Sequence, residues 1–581
     1  MSEQTAPAWR KWLPWAILAL LLILILIMPR IGYRGDPLAK RTKDSGLPLT
    51  EEQKSVRFDS ADLALEILPS KQAITGVATN GLTVIKPISK IQFDLDPRYD
   101  ISSVKVGGTD IAKGQWSNPD GQLTINLPQP AKAGDQLKIA IAYSGKPHVA
   151  KRAPWDGGFV WSHTKGGQPW VASAVQGEGC DMFWPCFDNS LVEVGAVTQH
   201  LTVPKGLTAA SNGKLLGTDT LADGRTRWNW VAKSPNNYAI AINVGPYKLA
   251  SADHKSRYGN SFPIDFWYMP GHEKQAAKLL DEMGRTVDFF EARIGPYPFA
   301  SEKMGVVETP HLGMEHQTIN AYGNDFKLSP YGFDWLFNHE FAHEWFGNQL
   351  TNKDWDDMWL HEGFGSYLQP LTAEWGAGQM GYLTNLWEQR QSIANKNPVV
   401  FGKSRTEEET YNNETGSGGD IYYKGSWILH TLRGYMGDEA FFRSIRRIVY
   451  GRPDPLPGNF APRFGTSDEY QQIVSQETGK NMDWFFNVYL RQAALPRLVE
   501  SRSGNTLNLQ WKTPKGLPFP MPIDVAVDGK VQTVAMTGGR GSVTLPSPNS
   551  IVTIDPASKV LRQNDAMDAY RDWPGKPPRR R

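Results

Sequence analysis

The chain has 581 residues, with 62 Lys and Arg against 60 Asp and Glu and a formal charge of +2 at pH 7. That length exceeds a single hydrophobic core and implies three or four domains, and 40% hydrophobic with 21% charged residues is the composition of a folded body. The near-neutral charge and the lack of any nucleic-acid-binding motif exclude a nucleic-acid partner.

Residues 12–28 form an uncharged run of seventeen residues rich in Leu and Ile. At about 1.5 Å per residue the run spans roughly 25 Å, close to a bilayer core of about 30 Å. Trp12, Trp15 and Arg30 stand at its ends as interface residues. No small-residue cleavage site follows, so residues 1–32 are expected to be a tail and an uncleaved membrane anchor. Arg30, Arg34, Lys40, Arg41 and Lys43 outnumber Arg10 and Lys11, which argues for a cytoplasmic body. A short basic start before a Leu-rich segment is instead how an exported, tethered protein begins, and an extracytoplasmic body is the expectation adopted. Residues 33–55, polar with Gly and Pro, read as a tether.

From 56 to 250, short apolar/polar alternations such as Leu63-x-Leu65-x-Ile67 and Ile91-x-Phe93-x-Leu95 are broken by Gly, Pro, Asp and Asn, the pattern of an antiparallel β domain. Late in it lie Gln176-Gly177-Glu178 and Phe183-Trp184-Pro185-Cys186-Phe187-Asp188. Cys180 and Cys186 are too few for a disulfide framework. They admit either one bridge in an oxidising compartment or two buried thiols, and thiols are expected.

Near 251 the period changes. Ala276, Leu279, Leu280, Met283, Val287 and Phe290 recur three and four apart, marking an amphipathic helix. A β stretch leads through Met304-Gly305-Val306-Val307-Glu308 to Leu312-Gly313-Met314-Glu315-His316.

The next segment carries the chemistry. His339-Glu340-Phe341-Ala342-His343 is an HExxH pattern on a stretch with helical apolar spacing. Histidines four apart share a helix face, so both imidazoles reach one ion. Zinc is the usual ion for such a pair, completed by a third ligand and an open position for water. Glu340 sits where it takes a proton from that water. Glu362, nineteen residues after His343, leaves room for one helix to end and another to begin, and is the expected third ligand. His361 beside it diverges by about 100° on a helix and is not expected to share the ion. Of Trp335, Trp345, Trp355 and Trp359, most are expected in the core.

Helical spacing continues through 427–436, 441–449, 470–474 and 484–490, with Tyr422-Tyr423-Lys424-Gly425 just ahead of the first. From 496 to 562 alternation returns, with Asp528-Gly529 as a hairpin turn, in a small β domain. The tail, 563–581, is expected to be disordered.

Taken together, HEFAHEWFGN with Glu362, the Gly313-Met314-Glu315 segment upstream and the Tyr-Tyr-Lys-Gly segment downstream resemble the M1 aminopeptidases, gluzincin zinc peptidases, over roughly residues 170–495. The resemblance implies a thermolysin-like α+β catalytic domain over 251–495, so that the whole reads as an α+β multidomain chain with one transmembrane helix in front. It also implies one Zn2+ and a peptide substrate with a free N-terminus. Glu340 is then the catalytic base and Tyr422 the oxyanion donor. Glu178 and Glu315 meet the substrate's ammonium, and Gly313 and Met314 line the strand along which the substrate lies. Leu312 stands where the family has Gly, and His316 where it has Asn, a difference that bears on substrate preference. His316 is read as a polar wall of the amine pocket. Two other readings stay open: a related zinc hydrolase acting on an epoxide, and a catalytically silent, membrane-tethered binding protein.

Overall fold

The computed structural model describes residues 38–575. The expected anchor at 12–28 lies outside them, and among the described residues no helix is long and apolar enough to cross a membrane.

The first half of the chain is β. An eight-stranded sheet runs in the order Lys214–Thr220, Thr226–Lys233, Ala196–Val203, Val56–Leu68, Ala73–Val84, Gln136–Gly145, Asp100–Val106, Thr109–Asp110. Alternation of Leu63, Leu65 and Ile67 with exposed neighbours buries one face of its long central strand. One pairing departs from the antiparallel expectation: Val56–Leu68 lies parallel to Ala196–Val203. These strands are separated by most of the domain, so a long crossover can bring them side by side in the same direction. A second core layer comes from a three-stranded sheet containing Ile88–Asp94, whose Ile91 and Phe93 are fully buried.

Two expectations for this half are corrected. Cys180 and Cys186 are joined as a disulfide rather than left as thiols, because the turn Cys180–Met182 folds the chain back until their Cα atoms are 6.2 Å apart. The described part of the expected tether, residues 38–55, is packed rather than free. Thr50 caps a short helix, Glu51–Lys54, and Thr42 is fully buried.

In the second half of the chain, strands form a five-stranded sheet in the order Lys248–Lys255, Ser261–Tyr268, Met304–Glu308, Asn320–Tyr322, Gly313–Met314. Gly313–Met314 is the edge strand, antiparallel to its neighbour. The helix Glu273–Arg293 lays Ala276, Leu279, Met283, Val287 and Phe290 on this sheet, the stripe that the spacing predicts. Helices Trp335–Ala342, Trp359–Arg390, Glu407–Tyr411, Tyr423–Met436, Asp438–Tyr450, Ser467–Thr478 and Asp483–Tyr489 follow in the same half. Trp345 and Trp359 are buried in its core, whereas Trp335 is 38% exposed.

At the C-terminal end, two three-stranded sheets continue the same core through Leu507, Leu509, Trp511, Ile523 and Val525. Asp528 and Gly529 turn the hairpin with φ of 46° and 82°, the positive pair that a two-residue turn of this kind requires. The tail is not disordered where it is described. Asn564 caps a helix, Asp565–Asp572, that sets Tyr570 against Trp387 and Asp568 beside Arg390; the capping side chain and the aromatic contact explain why so polar a segment orders.

Candidate active site

Asp334 opens the first site helix. Its carboxylate accepts the backbone N–H of Leu336 and of Phe337, both at 3.1 Å, and Asn324 donates to it at 2.9 Å. His339 and His343 then stand one turn apart, and the chain leaves the helix through a wider turn, Glu344–Gln349. Within that turn the Phe346 carbonyl takes the Nδ1 of His343 at 2.9 Å, which aims Nε2 into the site. Glu362 lies in the first turn of Trp359–Arg390. Gly365 lets this helix close on the first, since a Cβ there would stand 3.1 Å from His343 Cε1.

The three groups converge. His339 Nε2 and His343 Nε2 are 3.2 Å apart, and Glu362 Oε2 lies 3.3 Å from the first and 3.5 Å from the second. Ligands held about 2.0–2.1 Å from a tetrahedral zinc are separated by about 3.3 Å, so the triangle has the dimensions of three of its four corners. Glu362 Oε2 has no hydrogen-bond donor among the described residues, as a metal-facing oxygen should not. Burial disfavours the charged form of Glu362, yet the two imidazoles hold its carboxyl far below the usual range. Its other oxygen accepts from Tyr411 at 3.1 Å, a partner for which the sequence offered no signal.

Glu340 is 7% exposed and lies beside Glu315; burial, with the charge of Glu315, pushes its carboxyl well above the usual range. Edge strand Gly313–Met314 approaches this carboxylate closely, and only a glycine at 313 allows it. Met314 is buried beside Tyr238 and Ala321. Glu315 is fixed by three contacts. Asn348 donates to its carbonyl at 2.9 Å, and Gln176 Nε2 and Tyr238 Oη donate to Oε1 at 2.5 Å and 3.1 Å.

Tyr422 stacks over His339 with ring centroids 6.2 Å apart. Its placement depends on two facing glycines: a Cβ on Gly425 would stand 2.8 Å from Gly363 Cα, so the helices carrying Tyr422 and Glu362 touch backbone to backbone. Burial, with the charge of Glu362, raises the Tyr422 phenol well above 10 and keeps it a donor.

Glu178 is not brought to Glu315. Its carboxylate turns to the backbone N–H of Gly157, beside Glu407, and burial pushes it up to about 7. Gln176, two residues earlier, is the one that reaches Glu315, because residues 176–178 form a turn and not a strand, so the two side chains do not share the face that an extended segment would give them. His316 is fully buried, and burial lowers its ring to about 3, so it is a neutral wall and not part of the ligand triangle. His361 accepts the Asn352 N–H at 3.0 Å through Nε2 and does not join the group of His339, His343 and Glu362.

The geometry has counterparts among known proteins. Human aminopeptidase N is 24% identical over 518 residues, covering 83% of this chain and 49% of its own length. Tricorn protease-interacting factor F2 of Thermoplasma volcanium is 23% identical over 402 residues, 64% of this chain and 48% of its own. The chain thus spans under half the length of these curated relatives. The M1 zinc metallopeptidase of Deinococcus radiodurans superposes with a TM-score of 0.63 at 24% identity, over 78% of this chain and 98% of that one, and so shares the fold. The peptidase M1 N-terminal domain matches residues 57–236 and the peptidase family M1 domain residues 331–489, between them more than half of the sequence. With both characteristic domains present in order, this chain belongs to the M1 peptidase family.

Proposed function

We propose that the chain is a zinc metallopeptidase that removes amino acids from the N-terminus of peptides. The observation that carries this reading is the triangle of His339, His343 and Glu362, with Glu340 and Glu315 buried against it. Zinc bound there would supply a Lewis acid and an activated water at neutral pH.

The protein's own groups do the rest. Glu340, whose charged form is disfavoured by burial and by Glu315, accepts a proton from the attacking water and delivers it to the leaving amine. Tyr422, protonated through the working range, donates to the oxygen on which negative charge develops. Glu315 receives the substrate's ammonium. Gln176 and Tyr238 hold its Oε1, and Oε2 is assigned to the incoming cation. A carboxylate so near the reacting centre has room for one residue on its side of the scissile bond, which makes the enzyme count from the N-terminus.

The same reading places the body outside the cytoplasm, tethered through residues 12–28. The Cys180–Cys186 bridge supports that compartment, since such bridges persist where the surroundings oxidise.

Zinc stoichiometry, measured together with turnover of aminoacyl anilides and of N-blocked peptides, tests the proposal. One zinc per chain with hydrolysis of the free-amine substrates alone is expected. Turnover of an epoxide instead, or zinc without turnover, would replace it with the two other readings.

A further inference from the structure

Residues 41–46 lie across the junction between the N-terminal β domain and the catalytic half, and touch both. On the β-domain side, Arg41 reaches the buried carboxylate of Asp94 and Ser45 Oγ donates to Asp188 at 3.1 Å. Asp94, Asp181 and Asp188 form a buried acidic pocket, where removing a cationic partner leaves charge without compensation. On the catalytic side, Asp44 accepts the Glu408 N–H at 3.0 Å and the Ser45 carbonyl accepts that of Glu407 at 3.2 Å.

Two further contacts lead to the site. The Ser45 N–H donates to the Gly177 carbonyl at 3.1 Å, and Gly177 directly follows Gln176, the residue that holds Glu315. Gly46, at φ 92°, packs against the edge of an indole: a Cβ there would stand 2.2 Å from Trp355 Cδ1 and 2.4 Å from Nε1. Trp355 in turn packs its ring on Tyr411, the partner of Glu362. Ser45 also lines a small enclosed cavity together with Gln176, Tyr238, Trp355 and His361.

We propose that residues 41–46 are a positioning strap for the subsite that receives the substrate's amino terminus. The strap pins the loop carrying Gln176 between the two domains, and through Gln176 it orients the Glu315 carboxylate. None of its residues touches substrate. The assignment rests on the aminopeptidase reading for its kinetic consequence, and on the contacts above for its structural one.

The test uses the full chain with Gly46→Val, which drives the strap off Trp355, and separately with Arg41→Ala, which removes its charge anchor without adding bulk. In at least one folded variant, amide hydrogen exchange should rise in peptides covering 174–180 and 404–410 while that of the 335–342 helix stays as in the parent. Zinc content should be unchanged. KM for an aminoacyl anilide should rise about tenfold, the size of one weakened hydrogen bond to a charged group, with kcat held within about twofold. Unchanged exchange in both segments would overturn the strap whether or not the chain turns over anilides. Increased exchange with an unchanged KM in an active enzyme would reduce it to a structural contact and overturn it as well. A zinc-loaded parent inert toward every anilide would count against the aminopeptidase reading alone, since the exchange comparison still decides the strap.

Discussion

A Cβ placed on Gly313 would stand 2.4 Å from Glu340 Oε1 and 2.6 Å from Leu336 Cδ1. The edge strand and the site helix therefore meet at a point where no side chain fits, and the Glu340 carboxylate, the proposed base, occupies the space that a side chain would need. Gly313→Ala should move the base while leaving the ligand triangle intact. We expect kcat to fall about a hundredfold, with zinc content by atomic absorption unchanged.

Glu340→Gln keeps the shape of the side chain and removes the proton acceptor. Loss of about 10³-fold in kcat is expected, within the usual range for a general base, with one zinc still bound. Turnover close to that of the parent would reject the base assignment.

Tyr411→Phe deletes the hydrogen bond to Glu362 Oε1. Outer partners of a metal ligand are typically worth about 10–100-fold in metal affinity, and competition against a chelator should show a loss of that size. Tyr422→Phe should behave differently, lowering kcat without weakening zinc.

Glu315→Ala and Gln176→Ala report on the amine subsite. Both should raise KM for free-amine substrates, Glu315→Ala more steeply because it removes the charge and not only the group that aims it. Steady-state kinetics with a KM unchanged in Glu315→Ala would argue against the ammonium contact.

Glu178 and Glu407 are pushed up by burial, to about 7 and about 8, and the charge of Glu178 adds to the shift of Glu407. A carboxyl whose pKa is higher in the folded chain than its ordinary 4.5 stabilises the fold fully below that value. The contribution fades as pH rises and is gone above the folded pKa. The double variant Glu178→Gln, Glu407→Gln should accordingly gain Tm at pH 8 relative to the parent and match it at pH 5, as measured by calorimetry.

Much of the fold was legible from local pattern. The stripe from Ala276 to Phe290, the alternation of Leu507, Leu509 and Trp511, and the Asp528-Gly529 turn each express a preference set within a few residues. The tail helix was missed because its eight residues, Asp565–Asp572, carry no buried stripe and order through a cap and one aromatic contact. The parallel neighbour of Val56–Leu68 was missed because alternation along a strand does not encode which strand lies beside it.

The chemistry divides along the same line. That His339 and His343 share a face, and that Glu362 begins a later helix, followed from the sequence alone, since helical periodicity holds whatever surrounds it. Only the folded chain decided that Gln176 holds Glu315 while Glu178 turns to Gly157, that Tyr411 supports Glu362, that Cys180 meets Cys186, and that residues 41–46 are clamped between two domains. These relationships depend on which side of an irregular loop faces inward and on how separate elements dock. Such choices are set by the packing of residues tens to hundreds of positions apart, and no short-range spacing records them.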